Sequence, residues 1–273
     1  MRLAISHIAW KAEDEEAVAD WLAEAGVEGI ELAPARVHPR PLEATPAKID
    51  AYRWFWERRG IRIVAMQALL FEHPEWRIFQ SSDDERAARS YLAGIIRMAG
   101  DLGAGALVFG SPKNRLIDAD FDRRRAVDFF RHAGDFAMAF DTCFCIEPNP
   151  ARYGANFVTT VAEAVELVRD VNHRGFGIHL DGGGMTINGE DPATVMALAK
   201  PWWRHLHLSE PDLVALGTGG TDLAKLTAAA RQSRYEGWHS IEMKPAPDRP
   251  AGEHVRAAIE LARQANQSMR RAA

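Results

Sequence analysis

Four residues carry the chemistry this sequence suggests: Glu147, Asp181, His207 and Glu242. Each closes a short apolar run, in Phe144-Cys-Ile-Glu147, His179-Leu-Asp181, His205-Leu-His207 and Ser240-Ile-Glu242. If the runs are strands, successive side chains alternate between two faces. Ile146, Leu180, Leu206 and Ile241 then share an outward face, and the ionisable residues share the inward one. His179 and His205 fall on the inward face too, a layer deeper, and His205 reads as an inner support. Three carboxylates packed beside one imidazole would repel, and some would stay protonated. A divalent cation removes that conflict. The donor set suits one Mn²⁺, Mg²⁺ or Co²⁺, with Zn²⁺ also compatible. A single inward Glu is more often an ion-pair partner and a single His a satisfied core residue. The convergence of all four carries the reading.

Softer candidates surround these. His7 and Trp10 end the first apolar run, where a Trp either stacks on a ligand or simply packs. Gln67 is a polar group within an otherwise apolar run and needs a partner. Glu31 stands between contact with a mouth residue and a structural role. Gly110-Ser-Pro-Lys113-Asn-Arg115 follows the fourth run, and Asn149 and Arg152 follow the fifth. Lys113, Arg115 and Arg152 either gather around an anionic substrate or pair with local acids such as Asp118 and Asp120.

The elements that must position these residues are legible in outline. Eight strand-like runs are present: Leu3–Trp10, Gly29–Ala33, Ile61–Leu70, Ala106–Gly110, Phe144–Pro148, Phe176–Asp181, His205–Ser209 and Ser240–Lys244. Helical periodicity fills the intervals. Thr45-Pro46 and Asp191-Pro192 read as a cap followed by proline at the first helical position. Ser82 with Glu85, and Thr160 with Glu163, read as capping boxes. Gly26, Gly60 and Gly103 mark helix ends. Strict alternation predicts parallel strands with helical crossovers, and eight units in 273 residues predict closure into one α/β domain, a single (β/α)₈ TIM barrel over residues 1–273. The first run ends without the Gly-rich turn of a dinucleotide-binding sheet. In such barrels the active site lies at the C-terminal ends of the strands, where the four residues fall.

Composition excludes several classes. The net charge is -5, with 33 basic and 38 acidic residues, so nothing draws the chain to nucleic acid. No long apolar run predicts a membrane span, and the N-terminus lacks a secretory signal. Cys143 and Cys145 are poorly spaced to bridge each other and read as buried thiols in a reducing cytoplasm. Trp54-Phe55-Trp56 and Trp202-Trp203 read as core or as the interface of a homo-oligomer. The tail after Gln264 reads as polar and prone to fray.

The chain resembles the xylose isomerase-like barrels, the sugar isomerase/epimerase superfamily with ketose 3-epimerases and inosose dehydratase. The resemblance spans essentially the whole chain. It is carried by Gly29-Ile-Glu31, Ile146-Glu147-Pro-Asn149, His179-Leu-Asp181, His205-Leu-His207-Leu-Ser-Glu210 and Tyr235-Glu-Gly-Trp-His-Ser-Ile-Glu242. It implies that Glu147, Asp181, His207 and Glu242 bind the metal. It also implies that Glu147 and Glu242 act as the acid–base pair on a small carbohydrate, through an enediolate that the ion stabilises. Glu210, within the seventh-strand motif, joins the substrate-facing candidates. Epimerisation, aldose–ketose isomerisation and dehydration share the first proton abstraction, so an isomerase or epimerase stands beside an inosose-dehydratase-like lyase. A non-catalytic sugar-binding barrel is the alternative of another class. The substrate shell departs from the 3-epimerases. Gly184 stands where they have a substrate-binding His, the Leu213 region lacks their Arg, and Arg152-Tyr153-Gly154 stands where they have a second acid.

Overall fold

In a computed structural model that describes residues 1–268, eight parallel strands close into a barrel in sequence order. The strands are β1 (Arg2–Ser6), β2 (Gly29–Leu32), β3 (Arg62–Met66), β4 (Ala106–Phe109), β5 (Cys143–Ile146), β6 (Phe176–Asp181), β7 (Trp203–Ser209) and β8 (Trp238–Glu242). The helices are α1 (Glu15–Glu24), α2 (Pro34–Val37), α3 (Pro46–Glu57), α4 (Ser82–Leu102), α5 (Arg123–Ala139), α6 (Val161–Val171), α7 (Gly182–Asn188), α8 (Pro192–Ala199), α9 (Leu223–Gln232) and α10 (Ala251–Ser268). The (β/α)₈ expectation is met.

Capping chemistry sets the helix starts. Thr45, Thr160 and Asp191 each accept a backbone N–H three residues on, at 3.3, 3.2 and 3.0 Å. At the box expected on Ser82 and Glu85 the cap is instead Ser81, whose Oγ accepts from Asp84 N at 3.2 Å, while the Asp84 carboxylate accepts from Arg77 N at 2.8 Å. Two strands are shorter than their apolar runs by several residues. The first stops at Ser6, whose hydroxyl turns the chain by accepting from Ile8 N and leads into a 3₁₀ turn over His7–Ala9. The third stops at Met66, and Ala68 takes a left-handed φ of 55°. Polar α10 continues to Ser268; the rest of the tail lies outside the described residues.

The apolar interior has two parts. A large cluster fills the space between the barrel and its helices, with Phe109, Phe130, Phe144 and Phe176 among its aromatic members. A separate small cluster of Ala4, Val64, Ala65, Ala106, Cys143 and Cys145 packs against Trp238. Both cysteines are free and buried. Trp56 and Trp203 are buried, whereas Trp54 is 59% exposed. Among the described residues no helix is long and apolar enough to cross a membrane.

Register brings the candidate ligands to one height. Asp181 pairs with His207 across β6 and β7, and Ser209 pairs with Glu242 across β7 and β8. A bulge at Ile178/His179, which leaves Arg204 without a partner on β6, sets that alignment.

Candidate metal centre

Asp181 ends β6 and at once caps α7. Its Oδ1 accepts from Gly184 N at 2.6 Å, and its Oδ2 accepts from Ser209 Oγ. That closeness explains part of the glycine run, since a Cβ on Gly183 would lie 2.6 Å from the Glu210 backbone. His207 is fixed from two sides. Its Nε2 lies 2.8 Å from Glu31 Oε2, and its Nδ1 lies 3.1 Å from Glu242 Oε2 and 3.8 Å from Asp181 Oδ2. Glu147, just past β5, offers an oxygen within 4.8 Å of ligand atoms from Asp181, His207 and also His179.

Electrostatics tests whether this group fits a cation. Burial, with the charges of Asp181 and Glu242, pushes the Glu147 carboxyl up to about 8. Burial and Glu242 push Asp181 up to about 6. His207 is held well above its ordinary value: burial alone would lower it, but Glu31 and Glu242 favour its charged form. Without an added positive charge, Glu147 and, at lower pH, Asp181 thus hold protons, and the imidazole is the local cation. A divalent ion replaces all of these protons at once, so the donor set fits such an ion.

Glu31 is the residue that sequence reading left undecided. It is fully buried on β2, and its Oε2 accepts from Ser240 Oγ at 2.7 Å. The same oxygen lies 3.3 Å from His205 Nε2 and 2.8 Å from His207 Nε2. β2 and β7 are not neighbours in the barrel, so this carboxylate reaches across the interior. Burial alone would raise it, but His207 and His205 hold it well below the carboxylate range. It therefore keeps the Nε2 proton of His207 in place and turns Nδ1 toward the carboxylates, the support that metal-binding histidines usually have. His205 lies on the same carboxylate, as an inner support would.

The surrounding candidates divide. Gln67 Nε2 donates to Ser6 Oγ within the barrel. His7 Nδ1 accepts from Ala33 N at 3.1 Å, and burial together with nearby Arg36 pushes the imidazole down to about 3. Trp10 is buried, and its indole N–H has no hydrogen-bond partner among the described residues. The three cations do not converge. Lys113 is exposed and without an ion pair among the described residues. Arg152 pairs with Asp212 at 2.6 Å. Arg115 is buried, and its guanidinium donates to Phe109 O at 3.3 Å, Glu147 O at 2.6 Å and Asn149 Oδ1 at 2.7 Å. Neither Asp118 nor Asp120 is its partner. Glu210 is buried and accepts from Gly217 N at 2.7 Å and Thr221 N at 2.8 Å, ordering that loop. Arg115, Asn149 and Glu210 are thus bound up within the protein.

The chain as a whole matches a known family. The model of the xylose isomerase-like TIM barrel matches residues 19–265. The chain belongs to that family. A D-psicose 3-epimerase of Ruminiclostridium cellulolyticum is 27% identical over 131 residues, which span 48% of this chain and 44% of that protein. Two solved structures superpose along nearly their whole length. An L-ribulose 3-epimerase has TM-score 0.81 at 18% identity, covering 99% of this chain and 96% of that one. A 3-keto-D-glucoside 4-epimerase from E. coli has TM-score 0.80 at 17% identity, covering 97% and 99%. At such identities the structural likeness carries the fold.

Proposed function

We propose that this protein is a divalent-metal-dependent isomerase or epimerase of a sugar or sugar derivative, with Glu147, Asp181, His207 and Glu242 as the metal-binding residues. One observation supports the reading: three carboxylates and one imidazole from the ends of consecutive strands β5 to β8 face one barrel mouth, where Glu147, Asp181 and His207 offer ligand atoms within 4.8 Å of one another and Glu242 Oε2 lies 3.1 Å from His207 Nδ1. When bound there, the ion supplies the charge that makes a C–H beside a carbonyl acidic.

The chain's own groups then divide the work. Glu147 and Glu242 are the acid–base pair, one taking a proton from carbon and the other returning one. Arg115 holds the Glu147 backbone carbonyl, so the strand end beneath that carboxylate is fixed. Glu31 fixes the tautomer of His207 and with it the position of Glu242. His7 and Trp10, in the turn just past β1, are kept as substrate-facing candidates. Lys113 is left as the cation available to an anionic substituent. Gly184 offers no side chain where the ketose 3-epimerases place a substrate-binding His, so the residues present do not single out a ketohexose. The activities of the similar proteins, epimerisation of ketoses and of a keto-glucoside, support the same first step.

Incubation with ketoses, aldoses, inososes and sugar acids in D₂O tests the proposal. A true substrate gains carbon-bound deuterium, and Glu242→Gln abolishes the exchange while the protein stays folded. Turnover without any carbon-bound exchange counts against it.

A further inference from the structure

His179 has no part in the ligand set above, yet nothing else in the barrel uses it. It lies two residues before Asp181 on β6, one layer deeper, and is fully buried. Neither ring nitrogen has a hydrogen-bond partner among the described residues. A neutral imidazole carries one donor and one acceptor, and buried polar atoms are seldom left without a partner. The ring stands over His207, with centroids 4.0 Å apart at 66°.

Two arrangements would give this imidazole a cation. One groups His179 with His205 and His207, and the other groups it with Glu147, Asp181 and His207; in each, the ligand atoms lie within 4.8 Å of one another. The first conflicts with Glu31, whose Oε2 engages the Nε2 atoms of both His205 and His207. The second leaves those contacts whole, because His207 then offers Nδ1. Glu242 is not part of that compact group; its Oε2 lies against His207 Nδ1 at 3.1 Å.

We propose that His179 is a second imidazole ligand of the ion at the barrel mouth, in addition to Glu147, Asp181, His207 and Glu242. This rests on the reading that an ion binds here. Two imidazoles shift the donor set toward borderline ions such as Co²⁺, Zn²⁺ or Mn²⁺ and away from Mg²⁺, which prefers oxygen.

The test uses metal-free full-length protein loaded with Co²⁺. Each coordinated imidazole gives one hyperfine-shifted N–H proton signal in water. Wild type should show two such signals and His179→Leu one. Calorimetry should show Co²⁺ affinity falling in the variant by more than the roughly 10- to 100-fold that losing a mere supporting residue costs. Mg²⁺ affinity should stay nearly unchanged. His179→Asn serves if the leucine variant does not fold. One signal in wild type, with unaltered Co²⁺ affinity in the folded variant, overturns the proposal. Asp181→Asn separates the two levels. If it loses Co²⁺ while the His179 variant does not, only the second imidazole is wrong. If it binds Co²⁺ as wild type does, the metal centre itself is wrong.

Discussion

The Glu147 carboxylate lies in the space that a side chain at Gly110 would occupy: a Cβ there would stand 1.8 Å from Glu147 Oε2. Gly110 follows β4 directly, and its backbone is not in the left-handed region, so alanine is conformationally acceptable. The obstacle is the tip of a flexible side chain, which can swing aside. Gly110→Ala should therefore leave thermal stability almost intact while moving the carboxylate by about 1 Å, enough to lower kcat/KM about 100-fold. Metal titration and thermal denaturation of the same preparation check this. Normal metal affinity together with full activity would show that the carboxylate is not held where the structure has it.

Glu31→Gln should weaken metal binding by about 10- to 100-fold, the usual effect of losing the group that orients a metal-binding histidine. The substitution is nearly isosteric, so Ser240 keeps an oxygen acceptor. The imidazoles of His205 and His207 lose their shared anion. Calorimetric titration with Mn²⁺ measures the effect, and an unchanged affinity would assign Glu31 to packing alone.

Proton linkage gives a signed expectation for the metal-free protein. Glu147 is raised from 4.5 to about 8, and Asp181 from 3.8 to about 6, so between those limits the folded state holds more protons than the unfolded one. Stability must then fall as pH rises through the window. His207, raised above 6.5, contributes in the same direction, since its stabilisation is complete below 6.5 and is lost at higher pH. Thermal melts of chelator-treated protein should show Tm falling from pH 5 to about pH 8. Saturating Mn²⁺ should reverse the trend, because the ion displaces those protons; at 100 times its Kd it adds about 2.7 kcal/mol. A metal-free Tm that rises across the window would contradict the proton assignment.

Arg115→Met should destabilise the fold by about 3 kcal/mol, because it strips buried carbonyls of their donor. Phe109 O and Glu147 O lie at the ends of β4 and β5, so the loss is local to the Glu147 side of the mouth. Lys113→Ala, by contrast, should alter stability by less than about 0.5 kcal/mol, as expected of an exposed residue without a partner. Urea denaturation of both variants checks the contrast, and equal losses would refute it.

That Glu147, Asp181, His207 and Glu242 face one mouth was legible because two simple regularities coincide. Strand alternation fixes which side chains point into the barrel, and the chain's arrival at a loop fixes which of them lie at the mouth. Glu31 satisfies the first regularity but gives no hint of its partners, which lie 174 to 209 residues away in sequence. Only closure of the barrel brings them together. The loop cations misled for a different reason. Lys113 and Arg115 belong to one 3₁₀ turn that sends the first outward and the second inward. Sequence shows two charges near a rim; it does not show that one of them has two backbone carbonyls and an Asn149 oxygen waiting beneath it. His179 was visible as an inward residue, but that both of its nitrogens lack a partner is a property of the packed interior alone.

The reach of Glu31 from β2 to β7 and β8 also makes this centre a clock for assembly. Helices and neighbouring strand pairs form from short-range segments, whereas the Glu31–His207–Glu242 relay exists only once the first and last quarters of the chain have met. An ion that needs that relay cannot be captured by an N-terminal fragment still emerging from synthesis, nor by a refolding chain whose ring is open. In stopped-flow refolding, far-ultraviolet dichroism should therefore recover before Co²⁺ absorption does. The lag between the two signals measures the time the two ends of the barrel take to find each other.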